Sequence, residues 1–451
     1  MLFDRPARLQ RPAPPRLAAG CRNRGGAGRH AGPVSRGEPR DPDQPRILRT
    51  LLGAQVLGSL GTGAATSLGS IIAYQVTSSE TLAGISRTVA LLSTAGFGIP
   101  LALLAVRRGR RPALGLGFGL ACLGAVLQVL AIAASNLLVL VAGLMLFGAG
   151  QAAGLQARFA ATDLERDDRR TRSLALVVWA STVGVVLGPN LVLPGEPIGR
   201  ALGLPPIAGP YVITAVAMLA ASGVIWWALR PDPLVRAGGL GEATRTPSLP
   251  LRSVLGRVWA DPLPRFAFCA TVLNHMVMVV VMTMSAVHLH NHHHELKLIG
   301  LTISLHTLGM FAFSPLVGQL AERFGMVRTQ LVGQGLNGIA LIFCFLAGDS
   351  LGMIMAGLFL LGLGWSFGMV SGSALLSRSV DPAVRTQAQG STDTAMNFCA
   401  AFGAAAAGPV MHAFGFAWLS VLSLCCLLPI VWLAARLRLS GADAQRTSAT
   451  S

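Results

Sequence analysis

The chain has 451 residues, of which 52% are hydrophobic and only 12% charged, and its mean hydropathy is +0.59. Soluble domains carry roughly a quarter charged residues, so the composition excludes an ordinary water-soluble fold and makes the bilayer the solvent to reason with. The formal net charge of +17 does not describe a nucleic-acid surface, and no nucleic-acid partner is expected. The arginines fall in short loops between apolar runs and in a polar leading tail, which is the positive-inside pattern of a membrane protein.

Residues 1–46 are rich in Arg, Pro and Gly and nearly free of long apolar side chains, so they are expected to be a disordered basic tail. No apolar h-region precedes Ile47, and a secretory signal peptide is not expected. Runs long enough to cross about 30 Å of hydrocarbon follow near 48–74, 83–106, 112–134, 136–160, 171–193, 209–229, 266–290, 298–320, 327–347, 350–376, 388–411 and 415–436. Arg107, Arg108, Arg110 and Arg111, then Arg166 to Arg172, Arg230 to Arg265, Arg323 and Arg328, Arg378 and Arg385, and Arg436 with Arg438 occupy alternate loops. Both termini are therefore expected in the cytoplasm. The longest loop gives a division into a six-helix bundle 47–230, a cytoplasmic linker 231–264, a second six-helix bundle 265–437 and a tail 438–451. The seven cysteines have no C-x-x-C pair and read mostly as small core hydrophobes.

The two halves look alike, the internal repeat sought in transporters. Gly318-Gln-Leu-Ala-Glu322-Arg323-Phe-Gly325 follows the eighth run, and Leu104-Ala-Val106-Arg107-Arg108-Gly109-Arg110-Arg111 follows the second. The first is similar to the loop signature of the major facilitator superfamily, Gly-x-Leu-Ala-Asp-Arg-x-Gly, with Glu322 in the acidic position. The second copy carries Val106 where the acid belongs. The resemblance implies an all-α membrane protein with a twelve-helix major facilitator fold, two six-helix halves and alternating access, with Glu322 and Arg323 helping to latch helix ends. Gly184-Val-Val-Leu-Gly188-Pro189 and Gly403-Ala-Ala-Ala-Ala-Gly408-Pro409 form a second repeated pair. The former resembles the Gly-Pro motif of drug/proton antiporters, and both also read as close helix packing through small residues.

The seventh run holds Met278 and Met282 and the eighth holds His306 and Met310, each pair one turn apart on one helix face. Counting inward from the outer ends puts Met282 and His306 at one depth, with Met278 and Met310 about 5.4 Å deeper. Transporters of this type bind substrate near the midplane, and thioether with imidazole suits a soft cation such as Cu(I). Each residue also has an ordinary reading, Met as core filler and His as polar glue between helices. Met-x-x-x-Met followed by His-x-x-x-Met resembles the CcoA-like copper importers of the same superfamily. That resemblance implies a copper importer of the bacterial cytoplasmic membrane, with Met278, Met282, His306 and Met310 as ligands, serving cytochrome oxidase assembly. Copper is then substrate and not a resident cofactor, and the expected partners are the lipid bilayer and copper chaperones around a monomer.

His288, His290, His292, His293 and His294 crowd the loop beyond the seventh run. Clustered imidazoles bind Cu(II), Zn or Ni with little selectivity, so an outer capture site is one reading and a solvated polar loop the other. His275, one turn below Met278, reads as a release-side ligand or a structural histidine. Asp393 is an expensive acid in or near hydrocarbon, fit to carry a coupling proton or to close a gate against Arg158 or Arg385. No catalytic constellation is visible, so an enzyme is not expected. The alternatives to copper import are a proton-coupled drug or metabolite exporter, which would use Asp393, and a metal-sensing protein on a degenerate transporter fold.

Overall fold

The computed structural model of the protein describes residues 41–77, 80–238, 249–292 and 295–437, and these are helical almost throughout. We label the long helices α1 (Gln44–Thr77), α2 (Glu80–Arg108), α3 (Arg110–Ala134), α4 (Leu137–Ala160), α5 (Arg170–Leu187), α6 (Gly209–Ala228), α7 (Pro262–Asn291), α8 (Leu296–Phe311, resuming as Ser314–Phe324), α9 (Met326–Leu346) and α10 (Leu351–Ser379). A last run, Arg385–Cys425, breaks at Gly415, whose φ of 80° is left-handed. It therefore contains α11 and the start of α12, which continues through residues 428–437. Ten segments among the described residues are long and apolar enough to span a bilayer. The last of these, Arg385–Leu437, holds two spans, and α1 adds one more, so the ten become twelve.

Several boundaries differ from the sequence reading for physical reasons. α1 starts at Gln44, inside the expected tail, because the Gln44 amide is fully buried and donates to the Ala161 carbonyl at 2.8 Å and to Glu165 at 3.1 Å. α5 stops at Leu187 and continues as a 3-10 turn, Gly188–Leu191, and a short helix, Val192–Ala201, since Pro189 has no N–H to extend the helix. α8 breaks at residues 312–313 because Pro315 cannot donate to the carbonyl of Phe311, four residues earlier. The described part of the expected linker carries two short helices, Pro233–Arg236 and Leu251–Ala260. The second of these buries Val254 and Val258 on the C-terminal core.

Two large apolar cores organise the chain. One is drawn from residues 47–229, with Ile47, Phe118, Tyr211 and Met218 at its centre. The other contains Phe266, Val281, Leu358, Trp365, Met396 and Ile430. Between lipid and protein the hydrophobic drive is weak, so close backbone approach and polar bonds carry the packing. Gly184 supplies such an approach, since a Cβ there would collide with Ser59 and the backbone of Leu60 on α1. Gly403 does the same for α11 on α7, where a Cβ would stand 2.8 Å from Val280. Gly408 has open space around it, so only the first glycine of that motif packs.

The repeat is visible in the backbone. Gly109 (φ 97°) opens α3, and Gly325 (φ 91°) opens α9, a conformation glycine reaches without strain. The start of α3, in the loop that carries Val106 in place of an acid, is capped from elsewhere in the same half. Asp232, just beyond α6, accepts the Arg111 backbone N–H at 2.7 Å with one oxygen and the Leu234 N–H at 3.0 Å with the other. It lies against the Cα of Gly109, where any side chain would displace it. One carboxylate thus caps two helix N-termini.

Candidate functional site

Among the described residues, the seam between the halves is held by polar bonds toward the arginine-rich face. Arg158, near that end of α4, is 2% exposed, and Asp393, two turns into α11, is also 2% exposed. The Arg158 guanidinium donates to the Asp393 carboxylate at 2.5 Å, to Ser373 on α10 at 3.3 Å and to the Leu155 carbonyl on its own helix. The second Asp393 oxygen is buried with no hydrogen-bond partner among the described residues. A lone charge at such depth is costly, so each side chain is held mainly by the other. The sequence named Arg158 and Arg385 as partners for Asp393, and the structure brings it to Arg158.

Around this pair, Arg110 bridges Asp163 at 2.9 Å and Gln389 of α11 at 2.9 Å. Thr394 donates to the Ala95 carbonyl at 2.9 Å. Gly98 and Gly390 bring α2 and α11 together, Gly390 packing on Ala102. On the opposite side of the seam Glu322 accepts the backbone N–H of Arg172, in the first turn of α5, at 2.8 Å. A carboxylate from one half thus neutralises a helix N-terminus of the other. Arg378 donates to the carbonyl of Asp167. Arg323 is exposed, its guanidinium 5.3 Å from the centre of the Phe324 ring.

The Met/His residues sit deeper in the C-terminal half. Met278 (3% exposed) and Met310 (8%) belong to its apolar core, and the half-buried Met282 packs against that core. His306 is fully buried and turned toward α10, with Nδ1 2.7 Å from the Leu358 carbonyl. A carbonyl only accepts, so Nδ1 carries the proton and the neutral ring leaves Nε2 as a bare lone pair. Nε2 is buried without a hydrogen-bond partner among the described residues. His275 has a different setting: the Trp365 indole N–H donates to its Nδ1 at 3.0 Å.

At the other end of the molecule the structure brings His288 and His292 together, ring centres 4.4 Å apart. His288 stacks on Phe416 at 4.6 Å and its Nε2 lies 3.0 Å from the Gly348 carbonyl, while His292 Nδ1 meets Asp349 at 2.7 Å. The His290 side chain, His293 and His294 lie outside the described residues. Among the described residues no group of three or more His, Cys, Asp or Glu is arranged to hold a metal ion.

Sequence reasoning named Arg110 only as a loop arginine and missed Asp163, Gln389, Ser373 and Trp365. Only Trp365 carried a local signal. Trp favours the two membrane interfaces, and this one is the midpoint of α10, Leu351–Ser379.

The comparisons with known proteins agree with this architecture. The sequence matches the Major Facilitator Superfamily over residues 51–295 and 267–450. It is 30% identical to the uncharacterized MFS-type transporter YddS of Bacillus subtilis (strain 168), over 87% of this chain and 92% of that one. It is 32% identical to the uncharacterized MFS-type transporter YdeG of the same strain, over 86% and 91%. It is 28% identical to the riboflavin transporter RfnT of Brucella anthropi, over 87% and 96%. Among solved structures, the human organic anion transporter MFSD10 shares the fold at TM-score 0.69 and 15% identity, over 87% of this chain and 100% of that one. A bacterial homologue of the iron transporter ferroportin, outward-facing with soaked iron, does so at 0.68 and 15%, over 86% and 98%. From the paired spans, the repeated loops and these matches together, the chain belongs to the Major Facilitator Superfamily, a family of multi-pass membrane transporters.

Proposed function

We propose that the chain is an alternating-access secondary transporter for a small organic solute, with a flavin as the first candidate, and that Arg158 and Asp393 form its gate on the cytoplasmic side. The ion pair carries this reading. It joins α4 to α11 at 2.5 Å in a buried setting, so the arginine-rich face cannot open without breaking it, and breaking it is tolerable only when water reaches both charges. The arginines of that face support its assignment to the cytoplasm. Protonation of Asp393 removes the charge that holds Arg158, which supports coupling of the gate to a proton. The solute class is supported by the 28% identity to a riboflavin transporter across nearly its whole length.

The test is riboflavin uptake by proteoliposomes under an imposed pH gradient. Wild type should accumulate riboflavin, and Asp393→Asn should lose gradient-driven accumulation while keeping exchange at equal pH. Equal accumulation by Asp393→Asn would reject the gate.

A second reading, copper import into the bacterial cytoplasm in support of oxidase assembly, is favoured by one observation. His306 holds its Nδ1 proton on a backbone carbonyl and presents a buried, bare Nε2, the arrangement a metal-ligating imidazole adopts. Met278, Met282 and Met310 of the same core would supply thioethers. Radioactive copper uptake in cells lacking their own importer decides between the readings. Under the copper reading wild type takes up copper and both Met282→Ala and His306→Ala do not.

A further inference from the structure

Halfway along α10, Trp365 is held at both ends by consecutive residues of α7. Asn274 Nδ2 donates to its main-chain carbonyl at 3.3 Å, and the indole N–H donates to His275 Nδ1 at 3.0 Å. Asn274 is itself fixed by Asn337 at 2.6 Å. Gly368 leaves room for it, since a Cβ at Gly368 would collide with the amide. A Trp side chain in hydrocarbon must satisfy its N–H, but here the satisfaction also fixes the ring in one orientation. Residue 365 is the midpoint of α10 (Leu351–Ser379), and residue 275 stands close to the middle of α7 (Pro262–Asn291).

Phe311 completes the group. It meets the indole edge-on with ring centres 5.5 Å apart, and it also packs on the small apolar cluster that joins the halves, with Leu174, Ala175 and Val178 of α5. It is the last residue before the break in α8, and Pro315 withholds the N–H that would otherwise bond its carbonyl. One turn on, Ser314 Oγ lies 3.1 Å from Ser366 Oγ, both fully buried. An aromatic pair, a carbonyl deprived of its helical partner and two hydroxyls therefore meet at a discontinuous helix, at the depth where such transporters place substrate.

We infer that Trp365 and Phe311 form the recognition surface for a flat heteroaromatic ring, which stacks on the indole, meets Phe311 edge-on and places its polar edge against Ser314, Ser366 and the Phe311 carbonyl. Phe311 is the moving part. Its place between Trp365 and the apolar cluster that joins the halves ties ring binding to their relative position, so a bound ring displaces it from one contact or the other. Asn274 and His275 are positioning residues that act through Trp365. This assignment rests on the organic-solute reading above and adds to it the ring chemistry and the residues.

The test is quenching of riboflavin fluorescence by the purified full-length protein in nanodiscs, with ribitol, which lacks the ring, as competitor. Wild type should quench riboflavin, and ribitol should not compete. Trp365→Leu should bind about tenfold more weakly, as loss of one stacking partner implies. Trp365→Phe should recover most of the affinity, and His275→Ala should weaken binding less than Trp365→Leu. Phe311→Leu serves as the second probe should Trp365→Leu not fold. Riboflavin left unquenched by wild type, or bound equally by Trp365→Leu or Phe311→Leu, overturns the assignment. Binding that follows this pattern without pH-driven uptake would instead count against the proton coupling alone.

Discussion

Asp393→Asn is the sharpest perturbation of the gate. In the closed seam Arg158 has three hydrogen-bond partners among the described residues, Asp393, Ser373 and Leu155, and only Asp393 carries charge. Removing one member of a buried pair costs about 3–5 kcal/mol, and the cost falls on the state in which both residues are buried. Once the arginine-rich face opens, Arg158 is hydrated and the substitution costs little. The equilibrium should therefore shift toward the open face, by roughly 150-fold for about 3 kcal/mol. Spin labels at positions 108 and 323, both exposed and on opposite halves at this face, report it in a background with the seven cysteines replaced. The distance distribution should lengthen in Asp393→Asn and return most of the way in Arg158→Met/Asp393→Leu, where no charge is stranded. An unchanged distribution in the single variant would falsify the claim that the pair closes this face.

Other outcomes follow from the packing. Gly184→Val forces a side chain into Ser59 and Leu60 of α1 and should cost about 1–3 kcal/mol, seen as a lower melting temperature in detergent, whereas Gly408→Ala, with open space around it, should leave it unchanged. Asp232→Ala strips the caps from α3 and from the helix Pro233–Arg236 and should cost about 1–2 kcal/mol in the same assay; Val106→Asp in that background tests whether an acid in the expected loop position restores stability. Glu322→Gln keeps an acceptor for the Arg172 N–H but loses the charge facing the N-terminus of α5, so the label distance should change by less than in Asp393→Asn, in keeping with about 0.3–1 kcal/mol for such a charge.

Much of the fold was legible because it depends on one-dimensional quantities. The apolar runs matched the bilayer thickness, the arginines marked alternate loops, and Gly109 and Gly325 stood at equivalent turns because only glycine takes their backbone conformation readily. The breaks in α5 and α8 were also written in the chain, at Pro189 and Pro315, although the apolar runs around them pass through without interruption. The site was less legible. Met282 and His306 share one expected depth and Met278 and Met310 the next turn inward, but depth does not fix azimuth, and α8 turned His306 onto Leu358 of α10.

The sequence by itself determined the family architecture: twelve spans in two related halves, a basic face, and an acid in α11 that hydrocarbon cannot leave uncompensated. The tertiary structure alone decided what meets that acid, since Arg158 lies 235 positions away along the chain and several arginines of the same face were equally available by charge. It also decided that Asp232 caps the start of α3, and that Trp365 is gripped by Asn274 and His275. The physical reason is common to all three. Hydropathy and turn chemistry act locally along the chain, whereas a buried charge, an open helix end or an indole N–H takes whichever partner the packing of distant helices brings within hydrogen-bonding reach.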